Sequence, residues 1–148
     1  MALFTIERRT SLPPAAAWRR LTAWERHAAT VPLTRIAVTT PPPTGPDTVF
    51  VARTGVGRAA FQDPMRVAVW QPPGAHTPGH CRLEKTGRIV TGWAEIDVDP
   101  YGAGGSRVRW REDLTVWRLP GLFDGVTALS GRLLFGRVVD TLLRGPDI

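Results

Sequence analysis

The 148 residues, 43% hydrophobic and 22% charged, exclude a fibrous or wholly disordered chain and predict one domain over residues 1–148. The net charge is +6, but the arginines are scattered along the chain rather than interleaved with aromatic residues, so we expect no nucleic-acid groove. The single cysteine excludes an intramolecular disulfide, and the lack of a signal-peptide pattern or an apolar run of about 18 residues predicts a cytoplasmic protein without a membrane span.

The beginning of the chain predicts a strand followed by two short helices. Residues 3–9 alternate between apolar and polar side chains, as in a half-buried strand. The segment SLPPAAAWRRLTAW starts a helix, because prolines fit the first helical turn, and it places Trp18 and Leu21 on one face. The segment ERHAA predicts a second helix that ends before Val31 and Pro32, because the residue before a proline is disfavoured in a helix.

Residues 33–119 predict a run of antiparallel strands. Short strand-like segments are separated by clusters rich in proline or glycine: PPPTGPD, GVG, QPPGAHTPG, TG and DPYGAGGS. Such short connections form hairpins, so neighbours in sequence should pair antiparallel. Residues 121–144 lack proline and predict a long C-terminal helix with an apolar face formed by Leu122, Val126, Leu129 and Leu133.

Alternation assigns the two faces of the last two strands. In residues 107–117 the arginines share one face, which must be wet, and Trp110 and Glu112 lie on the dry face. The preceding strand places Gly92 and Ala94 on its dry face. Residues this small either let the helix approach closely or leave a hollow that a ligand would fill, and both alternatives stay open at this point.

Glu112 interrupts an otherwise apolar face. A buried carboxylate needs a partner or a shifted pKa, and Arg53, the one charge in the apolar run TVFVARTG, is the expected partner. Three roles stay open for Glu112: a structural ion pair or strand-end residue that reaches water, a contact to a ligand, and a general acid or base.

The order of a strand, two short helices, antiparallel strands and a long helix resembles the START-like superfamily, also described as the polyketide cyclase/dehydrase and lipid-transport (SRPBCC, helix-grip) superfamily. Four stretches resemble those of small bacterial members: PPAAAWRRLTAWERHAATVP, FVARTGVGRAAFQDPMRVAVWQPP, LEKTGRIVTGWAEIDVDP and VRWREDLTV. The resemblance implies an α+β helix-grip fold, in which a curved antiparallel sheet of about six to seven strands wraps around the C-terminal helix. The space between sheet and helix would hold a small apolar molecule.

The predicted pocket combines the dry faces of the strands and the helix with this resemblance. Met65 is included because of the resemblance alone. Its ligand-binding residues are Trp110, Glu112, Arg53, Met65, Ala94, Leu122, Val126, Leu129 and Leu133. The leading hypothesis is the binding of a small hydrophobic or amphipathic molecule, lipid or polyketide-like. The first alternative is a polyketide cyclase, aromatase or dehydratase that uses Glu112 and Arg53, although so few polar candidates argue against an enzyme. The second is a partner-binding protein that acts through its basic surface.

Three residues have side chains that zinc prefers, namely His76, His80 and Cys81. They lie in a loop rich in proline and glycine, and no second pair of ligands completes a tetrahedral site. We therefore expect no metal and no cofactor. Monomer and dimer both stay open.

Overall fold

The computed structural model describes residues 2–145 of the chain, which contain seven strands, two α-helices and two short 3-10 segments. Helix α1 (Pro14–Leu21) and a 3-10 helix (Trp24–Thr30), named the connecting helix, lie between β1 and β2, and a 3-10 turn (Gly121–Phe123) precedes the C-terminal helix α2 (Asp124–Arg144). The predicted α+β class and order of elements are confirmed. The strands are β1 (Ala2–Thr10), β2 (Thr34–Val38), β3 (Val49–Val56), β4 (Ala59–Gln71), β5 (Gly79–Thr86), β6 (Val90–Tyr101) and β7 (Gly105–Val116).

The strands form one curved antiparallel sheet in the order β1-β7-β6-β5-β4-β3-β2. Strands β2 to β7 each pair with their neighbours in sequence, as the short connections predicted, whereas β1 pairs with β7. The connection from β1 to the opposite edge of the sheet runs through α1 and the connecting helix. Within residues 2–145, no helix is both long and apolar enough to cross a membrane.

Alternation along the strands directs one set of side chains into the core. In β7, Val108, Trp110 and Glu112 are buried whereas Arg107 and Arg109 are exposed, which confirms the predicted faces for these residues; the alternation ends at Asp113, which is buried next to Glu112. The helices cover the buried face of the sheet and contribute their own apolar residues. The core cluster includes, from the three helices, Ala17, Trp18, Leu21, Trp24, Val138, Val139 and Leu142.

Gly92 has a different role from the two that were expected. Its φ is 129°, and a Cβ at this position would lie 1.9 Å from the carbonyl oxygen of Asp113 on the neighbouring strand. A glycine is therefore required by the close contact of two strands and by a backbone conformation that other residues avoid. Ala94, two residues further along β6, faces the interior and is buried.

The apolar residues predicted to face the sheet from the C-terminal helical segment lie on its solvent side. Leu122, Val126, Leu129 and Leu133 are between 57% and 80% exposed, so this part of the prediction is wrong. Helix α2 approaches the sheet with its small residues, because a Cβ at Gly131 would lie 2.6 Å from the ring of Phe4 in β1. This close approach turns the opposite, leucine-rich face outward. The buried residues of α2 are Gly136, Val138, Val139 and Leu142.

Candidate functional site

A cavity of about 260 Å³ lies between the sheet, the connecting helix and α2. Inward side chains of strands β2 to β7 stand side by side and form one wall. Trp24 and His27 of the connecting helix and Leu134 and Phe135 of α2 form the other wall. The lining is almost entirely apolar. Among the residues described, the charged side chains of the lining are Asp63, Lys85 and Glu112.

Aromatic rings join the two walls of the cavity. Trp24 stacks on Phe50 of β3, with ring centroids 4.6 Å apart and an interplanar angle of 10°. Trp110 of β7 stacks on Phe135 of α2, with centroids 5.5 Å apart, and lies 5.5 Å from the His27 ring. Flat, rigid surfaces of this kind favour contact with planar apolar molecules.

Lys85 is the centre of a buried ionic cluster. Its Nζ lies 2.7 Å from Asp63 Oδ2, 3.1 Å from Glu112 Oε1 and 3.7 Å from Met65 Sδ. The side chains of Lys85 and Glu112 are only 3% and 2% exposed, and that of Asp63 is 14% exposed. The indole Nε1 of Trp110 donates to Glu112 Oε2 at 3.3 Å. A buried charge needs partners of this kind because desolvation is costly.

Ala94, a small residue of β6, makes room for this cluster. Lys85 is on β5 and Glu112 is on β7, so the ion pair reaches across the strand between them. On that strand Gly92 is paired with Lys85 and Ala94 is paired with Glu112. A larger residue in place of Ala94, which lines the cavity, would occupy the space between the ammonium and the carboxylate. The small size of Ala94 therefore serves both the cluster and the cavity.

The pKa of Lys85 lies above its ordinary value. Burial alone lowers this pKa, but the charges of Glu112 and Asp63 and their hydrogen bonds with the ammonium raise it by more. Lys85 is therefore a protonated ammonium at neutral pH.

His27 is neutral at the same pH. Burial lowers the pKa of its imidazole to about 4, although a hydrogen bond to the backbone of Leu21 acts in the opposite direction. The Nε2 atom lies 2.7 Å from the carbonyl oxygen of Leu21, to which it donates. The ring adds no positive charge to the cavity.

The structure brings four of the predicted site residues to the cavity: Trp110, Glu112, Met65 and Ala94. Their contact with a ligand stays a prediction. Arg53 lies outside, because its guanidinium donates from Nη2 to the carbonyl oxygen of Gly57 at 3.1 Å in an exposed turn. The predicted pairing of Arg53 with Glu112 is wrong, because the ion-pair partner of Glu112 is Lys85. The residues of the C-terminal segment also lie outside the cavity lining: Leu122, Val126, Leu129 and Leu133.

Three titratable residues of the cavity were not assigned to it from the sequence, namely Lys85, Asp63 and His27. The strand HCRLEKT contains a signal for the first, because Cys81, Leu83 and Lys85 alternate into the interior. Lys85 is also the only lysine of the chain. Asp63 follows the same alternation on β4. No periodicity distinguishes His27, since the connecting helix is a short irregular segment.

A separate charged network lies on the outer face of the sheet. Glu95 accepts hydrogen bonds from Arg82 at 2.6 Å and from Arg111 at 2.9 Å, and both guanidinium groups contact the ring of Trp93. Burial alone raises the pKa of Glu95, but the hydrogen bonds and charges of Arg111 and Arg82 lower it below its ordinary value. These two arginines are therefore engaged by a carboxylate instead of forming a free basic surface.

The residues considered as zinc ligands are not brought together. Cys81 points into the core, where burial raises the pKa of its thiol to about 12. His80 lies on the outer face, where its Nδ1 is 2.7 Å from Asp97 Oδ1. Ligand atoms of His80, Glu95 and Asp97 lie within 4.8 Å of one another, but Arg82 and Arg111 already bind Glu95.

No family model and no curated protein matches the chain. Solved structures do match, over nearly its whole length. The human StarD13 lipid transfer and protein localization domain has a TM-score of 0.72 and 10% identity, covering 97% of this chain and 78% of that domain. A START superfamily protein from Mycobacterium smegmatis has a TM-score of 0.66 and 10% identity, with 96% and 99% covered. The Zhui aromatase/cyclase from Streptomyces sp. R1128 has a TM-score of 0.53 and 17% identity, with 95% and 86% covered.

These similarities show that the chain has the START-like helix-grip fold. The order of elements had predicted this fold. One fold carries many different functions, so the function has to be argued from the cavity itself.

Proposed function

We propose that the protein binds a small hydrophobic or amphipathic molecule in the cavity between the sheet and α2. The observation that carries this proposal is a partly open cavity of about 260 Å³ with an almost wholly apolar lining and one charged cluster. Ligand pockets typically combine such a lining with a few polar groups that orient the ligand. The similarity to a lipid transfer domain and to an aromatase/cyclase is consistent with this role.

The volume limits the size of the ligand. An apolar cavity of roughly 150 Å³ stays dry and binds benzene, whereas pockets for drug-sized ligands start at roughly 300 Å³. The cavity of about 260 Å³ lies between these sizes. A planar molecule of one or two rings fits within it, whereas a lipid with two acyl chains would extend beyond it.

The experiment compares two alanine-to-leucine variants in a titration with 2-naphthol, followed by quenching of tryptophan fluorescence. Ala94 lies in the cavity lining, so Ala94→Leu reduces the space and should abolish binding. Ala37 is exposed on β2, so Ala37→Leu should bind as the parent chain does. Far-ultraviolet circular dichroism checks that both variants fold. A parent chain that takes up no apolar probe, or a folded Ala94→Leu variant that binds as well as the parent, contradicts the proposal.

A second candidate function is a cyclase or dehydratase reaction on a polyketide-like substrate. What favours it is the acid-base cluster of Asp63, Lys85 and Glu112 within the cavity. Arg53 has no part in it, because its side chain lies outside. Substituting Glu112→Gln should abolish turnover of a short polyketone while leaving its binding nearly intact. Equal turnover in the variant would remove Glu112 from the chemistry.

A further inference from the structure

The ammonium of Lys85 has no donor left for a ligand. It carries three N–H groups, and three acceptors surround it: Asp63 Oδ2 at 2.7 Å, Glu112 Oε1 at 3.1 Å and Met65 Sδ at 3.7 Å. An anionic group that entered the cavity would therefore have to displace one of these neighbours.

The carboxylates leave one acceptor without a partner. Glu112 Oε1 is bound by Lys85 and Glu112 Oε2 by the indole of Trp110. Asp63 Oδ2 is also bound by Lys85, but Asp63 Oδ1 is buried and has no hydrogen-bond partner among the residues described. Buried polar atoms nearly always have partners, so this atom calls for a donor.

The charges of the cavity lining also disfavour a negatively charged ligand. Two carboxyl groups face one ammonium in the cluster. The imidazole of His27 is neutral, because burial lowers its pKa to about 4. No positive charge of the described lining is left without a carboxylate partner. Trp24 has a buried Nε1 without a partner, but one neutral N–H cannot offset a further negative charge beside this cluster.

We infer that the ligand of this cavity is a compact apolar molecule that donates a hydrogen bond, through a hydroxyl or an ammonium group, to Asp63 Oδ1, and that carboxylates of the same shape are rejected. This inference depends on the proposed function and names its ligand class. A hydroxyl supplies only the missing hydrogen-bond donor, whereas an ammonium supplies this donor and also neutralises the excess negative charge.

The test uses four probes of one ring system at pH 7: naphthalene, 2-naphthol, 2-naphthylmethylammonium and 2-naphthoate. Their dissociation constants are measured by quenching of tryptophan fluorescence and by calorimetry. We expect 2-naphthol or the ammonium probe to bind roughly tenfold or more tightly than naphthalene, and 2-naphthoate to bind more weakly than all of them. Comparison of the two donor probes distinguishes a hydroxyl ligand from an ammonium ligand.

The variant Asp63→Asn tests the role of the unpartnered oxygen. Its amide should turn the oxygen towards Lys85 and so present an NH₂ donor where Oδ1 was. The preference for 2-naphthol over 2-naphthoate should then shrink by roughly tenfold or reverse. Asp99→Asn is the matched control, since Asp99 contacts Arg107 on the outer face of the sheet. That variant should keep the selectivity of the parent chain.

The outcomes separate the two proposals. Binding of naphthalene or of 2-naphthoate at least as tight as that of both donor probes overturns the inference and leaves the proposed function standing. An unchanged selectivity in a folded Asp63→Asn variant also overturns it. Failure of all four probes to bind the folded parent chain contradicts the proposed function itself. If Asp63→Asn does not fold, the order of the probe affinities for the parent chain still tests the inference.

Discussion

Replacing Lys85 by methionine removes the cation of the buried cluster and leaves most of the apolar stem in place. In the parent chain Nζ lies 2.7 Å from Asp63 Oδ2 and 3.1 Å from Glu112 Oε1. Without Lys85 both carboxylates lose their positive partner in a part of the protein that solvent hardly reaches. The effect of the substitution is therefore mainly electrostatic.

The size of the loss follows from the burial of these groups. Removing one partner of a buried ion pair typically costs about 3 to 5 kcal/mol. Two carboxylates lose their partner here, and the side chain of Glu112 is only 2% exposed, so we expect a loss of about 4 kcal/mol in the free energy of unfolding. For a domain of this size, that corresponds to a fall in Tm of about 10 °C.

The assay is equilibrium unfolding in urea, followed by tryptophan fluorescence and circular dichroism. Arg66→Met is a matched control, because Arg66 also binds two carboxylates, Asp47 at 2.8 Å and Glu84 at 3.0 Å, but its side chain is 38% exposed. Solvent screens that pair of contacts, so the control should lose at most about 1 kcal/mol.

A double variant completes the test of this cluster. Adding Glu112→Gln to Lys85→Met removes one of the two unpaired carboxylates, so the double variant should be no less stable than Lys85→Met alone. Two results would refute the reasoning: a loss for Lys85→Met no larger than that for Arg66→Met, or strictly additive losses in the double variant.

The remaining predictions concern His27, Cys81 and the exposed face of α2. Burial lowers the pKa of His27 from 6.5 to about 4, so as the pH falls the imidazole is protonated in the unfolded chain before it is protonated in the folded chain. About 3 kcal/mol of stability that is present above pH 6.5 should therefore be lost by pH 4. Urea unfolding from pH 7 to pH 4 should show a shallower decline in His27→Gln than in the control His76→Gln, and equal slopes would contradict this. Because burial raises the pKa of Cys81 to about 12, the folded protein should react with a thiol reagent only through unfolding, and labelling as fast as in urea would be inconsistent with a buried thiol. Leu129→Ser should change the free energy of unfolding by less than about 0.5 kcal/mol and leave probe binding intact, because Leu129 is 57% exposed. A loss of probe binding would show instead that Leu129 contacts the ligand.

Local patterns were enough to predict the elements and their order. The prolines and glycines between strands mark the hairpins, and alternation in β7 separates Trp110 and Glu112 from the arginines. Such signals arise from a residue and its near neighbours in the chain. They therefore do not require knowledge of the packing.

The partner of Glu112 could not be found in this way. Arg53 and Lys85 are both cations on strands, and only the pairing of β5, β6 and β7 shows that Lys85 can reach Glu112 across Gly92. The outward position of Arg53, in contact with Gly57, likewise depends on a turn that brings the two together. Partner choice over such distances in sequence is set by strand register.

The sequence by itself predicted the fold class, the antiparallel direction of the strands, and the presence of a lone acid on the dry face of β7. Tertiary structure decided which face of α2 meets the sheet, because the periodicity of a helix identifies an apolar face but not what covers it. Gly131 lies against the ring of Phe4, and Leu122, Val126, Leu129 and Leu133 remain on the solvent side. The cavity also depends on the tertiary structure, since its walls come from strands β2 to β7, the connecting helix and α2.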